Sequence, residues 1–211
     1  MERRLLVVDD LVSAGLGVFL GLGPRTIALA GGATPQPVYA ALAEHAYPWE
    51  EVDAFMGDER CVPLDHPESN FGKAREALLS KVPARAHPMP GETCDAVAYE
   101  RTLRERFGDE VPSIDLVFLG IGEDGHTASL FPGDAALDER ERWVVPVDRP
   151  DFRRLTLTLP VLNAAAAVMF LIDGETKREA LTGLLDGDPE VPAARVEAER
   201  VLVVADRAAA G

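Results

Sequence analysis

Asp124 and His126 are the two residues of this chain best suited to moving a proton. They stand in the segment DLVFLGIGEDGHTASLFP, residues 115–132. The apolar stretch Ile114 to Leu119 reads as a buried strand, and it runs directly into a turn spaced by Gly120, Gly122 and Gly125. A carboxylate and an imidazole at the carboxyl end of such a strand lie where open α/β sheets bind ligands. A histidine there can accept and return a proton near neutral pH. The segment therefore points to an enzyme acting on a small molecule. It also satisfies G-x-G-x-x-G, but that dinucleotide fingerprint needs a helix opening at its third glycine. Here Pro132-Gly133 stops any helix within about two turns, so nicotinamide or flavin binding is not expected.

Three further segments place polar residues just after a strand. Leu29 to Pro35 contains paired glycines and the amino end of a helix, which together offer unpaired N–H groups to an anion beside the Thr34 hydroxyl. It is not a P-loop, because the Gly-Lys-Ser/Thr ending is absent. Phe55 to Pro63 carries Asp58, Glu59 and Arg60, with Ser69-Asn70 following. A guanidinium such as Arg60 matches phosphate or carboxylate oxygens. A metal site from Asp58, Glu59, Asp124 and His126 is not expected, since no short-spaced His/Cys ligand set accompanies them. Finally, Arg153-Arg154 opens a strand, and Lys177 lies near a helix start. With Arg60, Arg154 and Lys177 could form a positive pocket.

Such a pocket would stand against the mean field of the chain. The sequence has 211 residues, 47% hydrophobic and 27% charged, with a formal net charge of -15. Those values fit a globular α/β protein and argue against nucleic acid as a partner, because phosphate backbones demand a basic face. Met1-Glu2-Arg3-Arg4 is followed by too few apolar residues for a signal-peptide core. The weakly polar run Val161 to Ile172 is too short to span a bilayer. Cys61 and Cys94 do not read as a disulfide framework, so a reduced cytoplasm is the expected compartment and Cys61 is expected as a small buried filler.

The elements alternate. Thr26 to Leu29, Val52 to Met56, Leu155 to Leu159, Ala167 to Ile172 and Val201 to Val204 read as strands. Helices are expected over Pro35 to Ala46 (capped by Thr34), from Ser69 to about Ser80, from Thr93 to Phe107, and over Thr176 to Leu185. Repeated β-then-α order implies a parallel sheet covered on both faces. Gly108 to Pro112 and Gly187 to Pro192 read as loops, not domain boundaries, and Ala164 to Ala167 as the packed end of a helix.

Taken in order, GGATP at 31–35, GDERCVP at 57–63 with SN at 69–70, DLVFLGIGEDGHTASLFP at 115–132, RLTLTLPVLN at 154–163 and GETKREAL at 174–181 resemble the 6-phosphogluconolactonase family. That family lies within the group that also holds glucosamine-6-phosphate isomerase/deaminase. The resemblance runs from about Ala30 to Asp206 and implies one domain over 1–211, an α/β three-layer sandwich with a mainly parallel, Rossmann-like sheet. It implies hydrolysis of 6-phospho-D-glucono-1,5-lactone to 6-phosphogluconate in the oxidative pentose phosphate pathway. No metal or organic cofactor is implied, nor any nucleic-acid or membrane partner. A monomer or weak homo-oligomer is expected.

By the same resemblance, His126 serves as general base and then acid, Asp124 orients or tunes it, and Arg60 stabilises developing negative charge. Arg154 and Lys177 bind the phosphate, and Gly31, Gly32 and Thr34 wrap it. Asp58 and Asn70 contact sugar hydroxyls or shape the site. The deaminase branch carries a glutamate before the loop's proline, where this chain has Phe131, and an aromatic ring cannot exchange a proton. That favours the lactonase over the isomerase/deaminase. A non-catalytic sugar-phosphate sensor would lack the histidine or the cations. The chain departs from the family at Ala33, where serine is usual, and at Val203 to Asp206, which lacks a tryptophan often found there. The segment before Ala30 matches least well.

Overall fold

The computed structural model describes residues 3–211. In chain order the elements are β1 (Arg3–Val8), α1 (Leu11–Leu22), β2 (Thr26–Leu29), α2 (Gln36–Ala43), β3 (Asp53–Met56), β4 (Asp58–Arg60), α3 (Asn70–Ala74), β5 (Arg85–Ala86) and α4 (Ala96–Phe107). There follow β6 (Leu116–Leu119), β7 (Val144–Val147), β8 (Arg154–Leu157), α5 (Leu159–Ala164), β9 (Val168–Ile172), α6 (Arg178–Asp186), β10 (Val201–Asp206) and α7 (Arg207–Ala210). Seven strands form a sheet in the order β1-β10-β9-β6-β2-β3-β5, with every neighbour parallel. Flanked by helices, this is the parallel sheet that the alternation implied and the single-domain α/β sandwich that the family resemblance implied.

The centre of the sheet is set by sequence. β2, β3, β6 and β9 are buried along their whole lengths, as short apolar runs covered on both faces must be. Asp115 ties two of them together. Its carboxylate accepts the Arg25 and Thr26 N–H groups at 2.8 Å each, and its own N–H donates to the Thr26 hydroxyl at 2.9 Å. From β2 the chain builds outward through β3 to β5. It then returns to the opposite side of β2 with β6 and continues through β9 and β10. Strand order thus reverses between β2 and β6, and the loops leaving their carboxyl ends diverge there, opening a crevice.

A second sheet went unrecognised in the sequence. β4, β8 and β7 form a three-stranded antiparallel sheet. Asp58, Glu59 and Arg60 read as a polar turn, yet they form a strand with Glu59 fully buried. Its carboxylate accepts N–H bonds from Arg60, Asn70 and Phe71 and the Ser69 hydroxyl, at 2.6–3.0 Å. Burial pushes its carboxyl upward, and those donors work against that rise.

Helix starts differ in detail from expectation. Ser69 does cap α3, accepting the Gly72 N–H at 3.0 Å. Thr34 caps nothing: α2 begins after Pro35 with no side-chain cap. Asp95, not Thr93, caps α4. β1 and α1 had no counterpart among the sequence assignments. Asp10 caps α1 through the Val12 and Ser13 N–H groups, and Gly23, at φ 62°, closes it.

Cys61 and Cys94 form a disulfide, with Cα atoms 5.1 Å apart. This corrects the expectation of a free, buried Cys61. The bridge joins the turn after β4 to the turn before α4. Nearby, Gly91 packs so closely on the chain leaving β4 that a Cβ would strike the Val62 and Arg60 carbonyl oxygens at 2.6 and 2.8 Å. Among the described residues, no helix is long and apolar enough to cross a membrane.

Candidate active site

A cavity of about 260 Å³ opens at the crevice between β2 and β6. Its wall gathers Gly31, Gly32, Thr34, Asp58, Arg60, Asn70, His126, Arg154 and Lys177. These are all the candidate residues except Asp124, which bonds to His126 from behind. Residues drawn from five separate segments of the sequence therefore meet in one place.

Two arginines dominate one side. Arg60 on β4 and Arg154 on β8 are direct cross-strand partners. Like charges facing each other across a ladder are unfavourable unless something negative lies between or beside them. Each has a rim carboxylate near a terminal nitrogen, Glu68 at 3.6 Å and Asp151 at 2.6 Å. The Nε atoms of both are buried with no hydrogen-bond partner among the described residues. Buried donors of that kind call for an acceptor. Lys177 reaches the same cavity from the 3-10 turn Glu175–Lys177 that precedes α6, not from within the helix as expected.

Gly31 and Gly32 belong to the loop after β2. A Cβ on Gly31 would come within 1.9 Å of the Asn70 Oδ1, so only glycine lets the two approach. Gly32 adopts φ 85°, which L side chains rarely tolerate. The hydroxyl of Thr34 donates to Asp173 at the end of β9. Asp173 also lines the cavity, and sequence reasoning missed it. Nothing in the GETKREAL motif marks the residue before it as reaching Thr34.

Asp58 and Asn70 shape the wall. The Asn70 amide donates to the Asp58 carbonyl and carboxylate at 3.0 Å, and its oxygen accepts from Arg60 Nη1 at 2.7 Å. The other Asp58 oxygen accepts the Ser129 hydroxyl at 2.7 Å. Ser129, fully buried, was not singled out from sequence, although it stands inside the histidine motif. Glu59 is turned away from the cavity into its own hydrogen bonds.

In the turn after β6 the His126 Nδ1 lies 2.6 Å from Asp124 Oδ1, and the His126 backbone N–H donates to the same oxygen at 3.1 Å. A carboxylate only accepts, so Nδ1 is the donor of this bond, and in the neutral imidazole that leaves Nε2 as the acceptor nitrogen. Partial burial pushes the Asp124 carboxyl up. Its bonds to the His126 ring and N–H more than offset that and hold it below the usual carboxylate range. Gly122 accommodates the pair, since a Cβ there would meet Nδ1 at 2.0 Å. No helix follows Gly125, consistent with the rejection of a dinucleotide loop.

Similar proteins share both sequence and fold. A 6-phosphogluconolactonase of Synechocystis sp. is 42% identical over 207 residues, 92% of this chain and 85% of that protein. One of Nostoc sp. is 43% identical over 169 residues, covering 75% of this chain and 70% of its own length. The crystal structure of the Thermotoga maritima 6-phosphogluconolactonase superposes with a TM-score of 0.88 at 31% identity, over 98% of this chain and 100% of that one. Residues 20–204 match the family described as glucosamine-6-phosphate isomerases/6-phosphogluconolactonase, and the chain belongs to that family.

Proposed function

We propose that this chain is a hydrolase converting 6-phospho-D-glucono-1,5-lactone to 6-phospho-D-gluconate. The observation that carries this reading is the facing pair Arg60 and Arg154, with their unpartnered buried Nε atoms, in the same cavity as His126 and Lys177. An acidic chain that concentrates cations around one imidazole is suited to an anionic substrate needing a base.

In this mechanism the phosphate lies against Arg154, Lys177 and the Gly31–Thr34 loop. His126 Nε2 takes a proton from water as its oxygen attacks the lactone carbonyl. Arg60 offsets the charge growing on the carbonyl oxygen. The tetrahedral adduct collapses, the ring C–O bond breaks, and the imidazolium returns the proton to the departing oxygen. Asp124 holds the ring in the tautomer this needs. Phe131, where the deaminase branch is expected to carry an acid, has no proton to exchange, which favours lactone opening over isomerisation.

The test is a stopped assay on freshly made lactone, corrected for spontaneous opening. His126→Ala is expected to lose most turnover while still binding phosphogluconate. Wild-type turnover in that variant would refute the mechanism. Strong ammonia release from glucosamine 6-phosphate would move the chain to the sister activity. Phosphogluconate binding without turnover by the wild type would favour a sensor.

A further inference from the structure

We propose that Phe131 and Arg149 are positioning residues for this reaction, acting on His126 and Arg154 through a single aromatic wall. The inference rests on the lactonase reading.

His126 has one side-chain hydrogen bond, from Nδ1 to Asp124. That bond fixes one atom of the ring and leaves the plane free to turn about it. The Phe131 ring supplies the missing restraint. Its centroid lies 4.5 Å from that of His126, with 31° between the planes. The chain is folded back to achieve this. Thr127 and Leu130 bond to each other at 2.9 and 3.3 Å, and Ala128 takes φ 47°, a left-handed conformation uncommon for alanine. That tight turn returns residue 131 to the side of residue 126 and buries it, 5% exposed.

The same ring faces two guanidinium groups. The Arg149 Cζ lies 4.0 Å from its centroid and the Arg154 Cζ 5.3 Å. Arg149 comes from the loop between β7 and β8. It makes no ion pair among the described residues, although the chain is strongly acidic. A guanidinium over an aromatic face is attracted to it, so Arg149 holds the ring in place from the loop side. The wall therefore touches the proposed base on one part and a proposed phosphate ligand on another. Displacing it disturbs both the chemical step and substrate binding, whereas removing Arg149 loosens it and acts mainly on the ring orientation of His126.

Kinetics on fresh lactone separate these roles. Arg149→Met, which keeps the stem and removes the charge, is expected to lower kcat about threefold to fivefold with KM within about twofold, as loss of an orienting interaction does. Arg149→Lys should recover most of that loss. Phe131→Leu should lower kcat by about tenfold and raise KM by about threefold. A rise in KM alone in Arg149→Met would make Arg149 a substrate ligand and overturn the proposal. So would a lowered melting temperature with unchanged kcat, or wild-type kinetics in Arg149→Met or in Phe131→Leu. If wild-type protein fails to open the lactone, the function itself is refuted. If wild-type protein turns over and the variants match it, only the positioning role falls.

Discussion

Replacing Gly122 by alanine is the sharpest test of the histidine turn. The backbone at this position is not left-handed, so alanine brings no conformational strain. It brings one methyl group, and the methyl would sit 2.0 Å from His126 Nδ1, 2.3 Å from its Cε1 and 2.5 Å from Asp124 Oδ1. Ordinary contact begins near 3.4 Å, so the imidazole must retreat by about 1.4 Å. Both partners of the 2.6 Å bond are struck together, so the pair cannot keep its geometry. A misplacement of about 1 Å costs catalysis on the order of a hundredfold. Gly122→Ala is therefore expected to lower kcat by about that factor, with KM changed little because the cations and the Gly31–Thr34 loop are untouched. His126 is 32% exposed on its side chain, so it has room to move and the fold should melt within a few degrees of wild type. The assay is initial-rate lactone opening beside a thermal melt. A correctly folded Gly122→Ala protein with wild-type kcat would show that the imidazole is not needed where it stands.

Other consequences are equally measurable. Asp173 puts a carboxylate into a cavity read as a phosphate site and takes the Thr34 hydroxyl. Removing that repulsion in Asp173→Asn should lower KM about threefold to fivefold, and a raised KM would show instead that Asp173 helps binding. The Cys61–Cys94 bridge spans 33 residues of sequence, so chain-entropy reasoning gives it about 3–4 kcal/mol; reduction and alkylation should lower the melting temperature by roughly 10 °C, and two titratable thiols in the native, unreduced protein would contradict the bridge. Arg85, His87 and Arg106 all bind the buried carboxylate of Asp53 at 2.8–2.9 Å. The Arg85 hydrogen bond leads in holding its carboxyl far below the ordinary range, against burial, which raises it. The unfolded chain thus takes up a proton near pH 4 that the folded chain still refuses, so this contribution is complete above about pH 5 and drains away as pH falls. In Asp53→Asn, urea unfolding should show a loss of about 3 kcal/mol at pH 7 that shrinks towards pH 3; a constant difference would refute the linkage.

Much of this could be read from the chain because local physics was decisive. β6 and β9 are uninterrupted apolar runs, and Ser69 opens one helix and Gly187 closes another as capping chemistry dictates. What escaped was set by long-range pairing. Asp58-Glu59-Arg60 has no apolar residue to mark it as a strand. It is one because its backbone pairs with β8, about 95 residues on, and the buried Glu59 is tolerated because its carboxylate finds four donors, three of them ten or more residues away in sequence. Thr34 looked like a cap because threonine before proline usually is one, but Asp173, 139 residues distant, takes its hydroxyl. The disulfide was invisible for the same reason, since sequence cannot say that the turn after β4 meets the turn before α4. The candidate residues were easier to place together, and all but Asp124 line one cavity, because most lie in motifs that follow a legible strand.

A network of contacts behind them ties these motifs together. Gly31 has no Cβ, and the vacated space holds the Asn70 amide. That amide links the Arg60 guanidinium to Asp58, and Asp58 takes the Ser129 hydroxyl. Ser129 lies in the same turn as His126. One unbroken line of contacts thus runs from the Gly31–Thr34 loop on the parallel sheet, through the cation of the antiparallel sheet, back to the histidine turn. Asn70, Asp58 and Ser129 are each buried, and a buried polar group that loses its partner costs more than the bond was worth. The line is therefore stiff, and its members cannot be exchanged singly. The two sheets make different contributions to the site, the parallel one the imidazole and the glycine loop, the antiparallel one the guanidinium pair. Their relative placement depends on this hydrogen-bonded seam more than on either sheet alone.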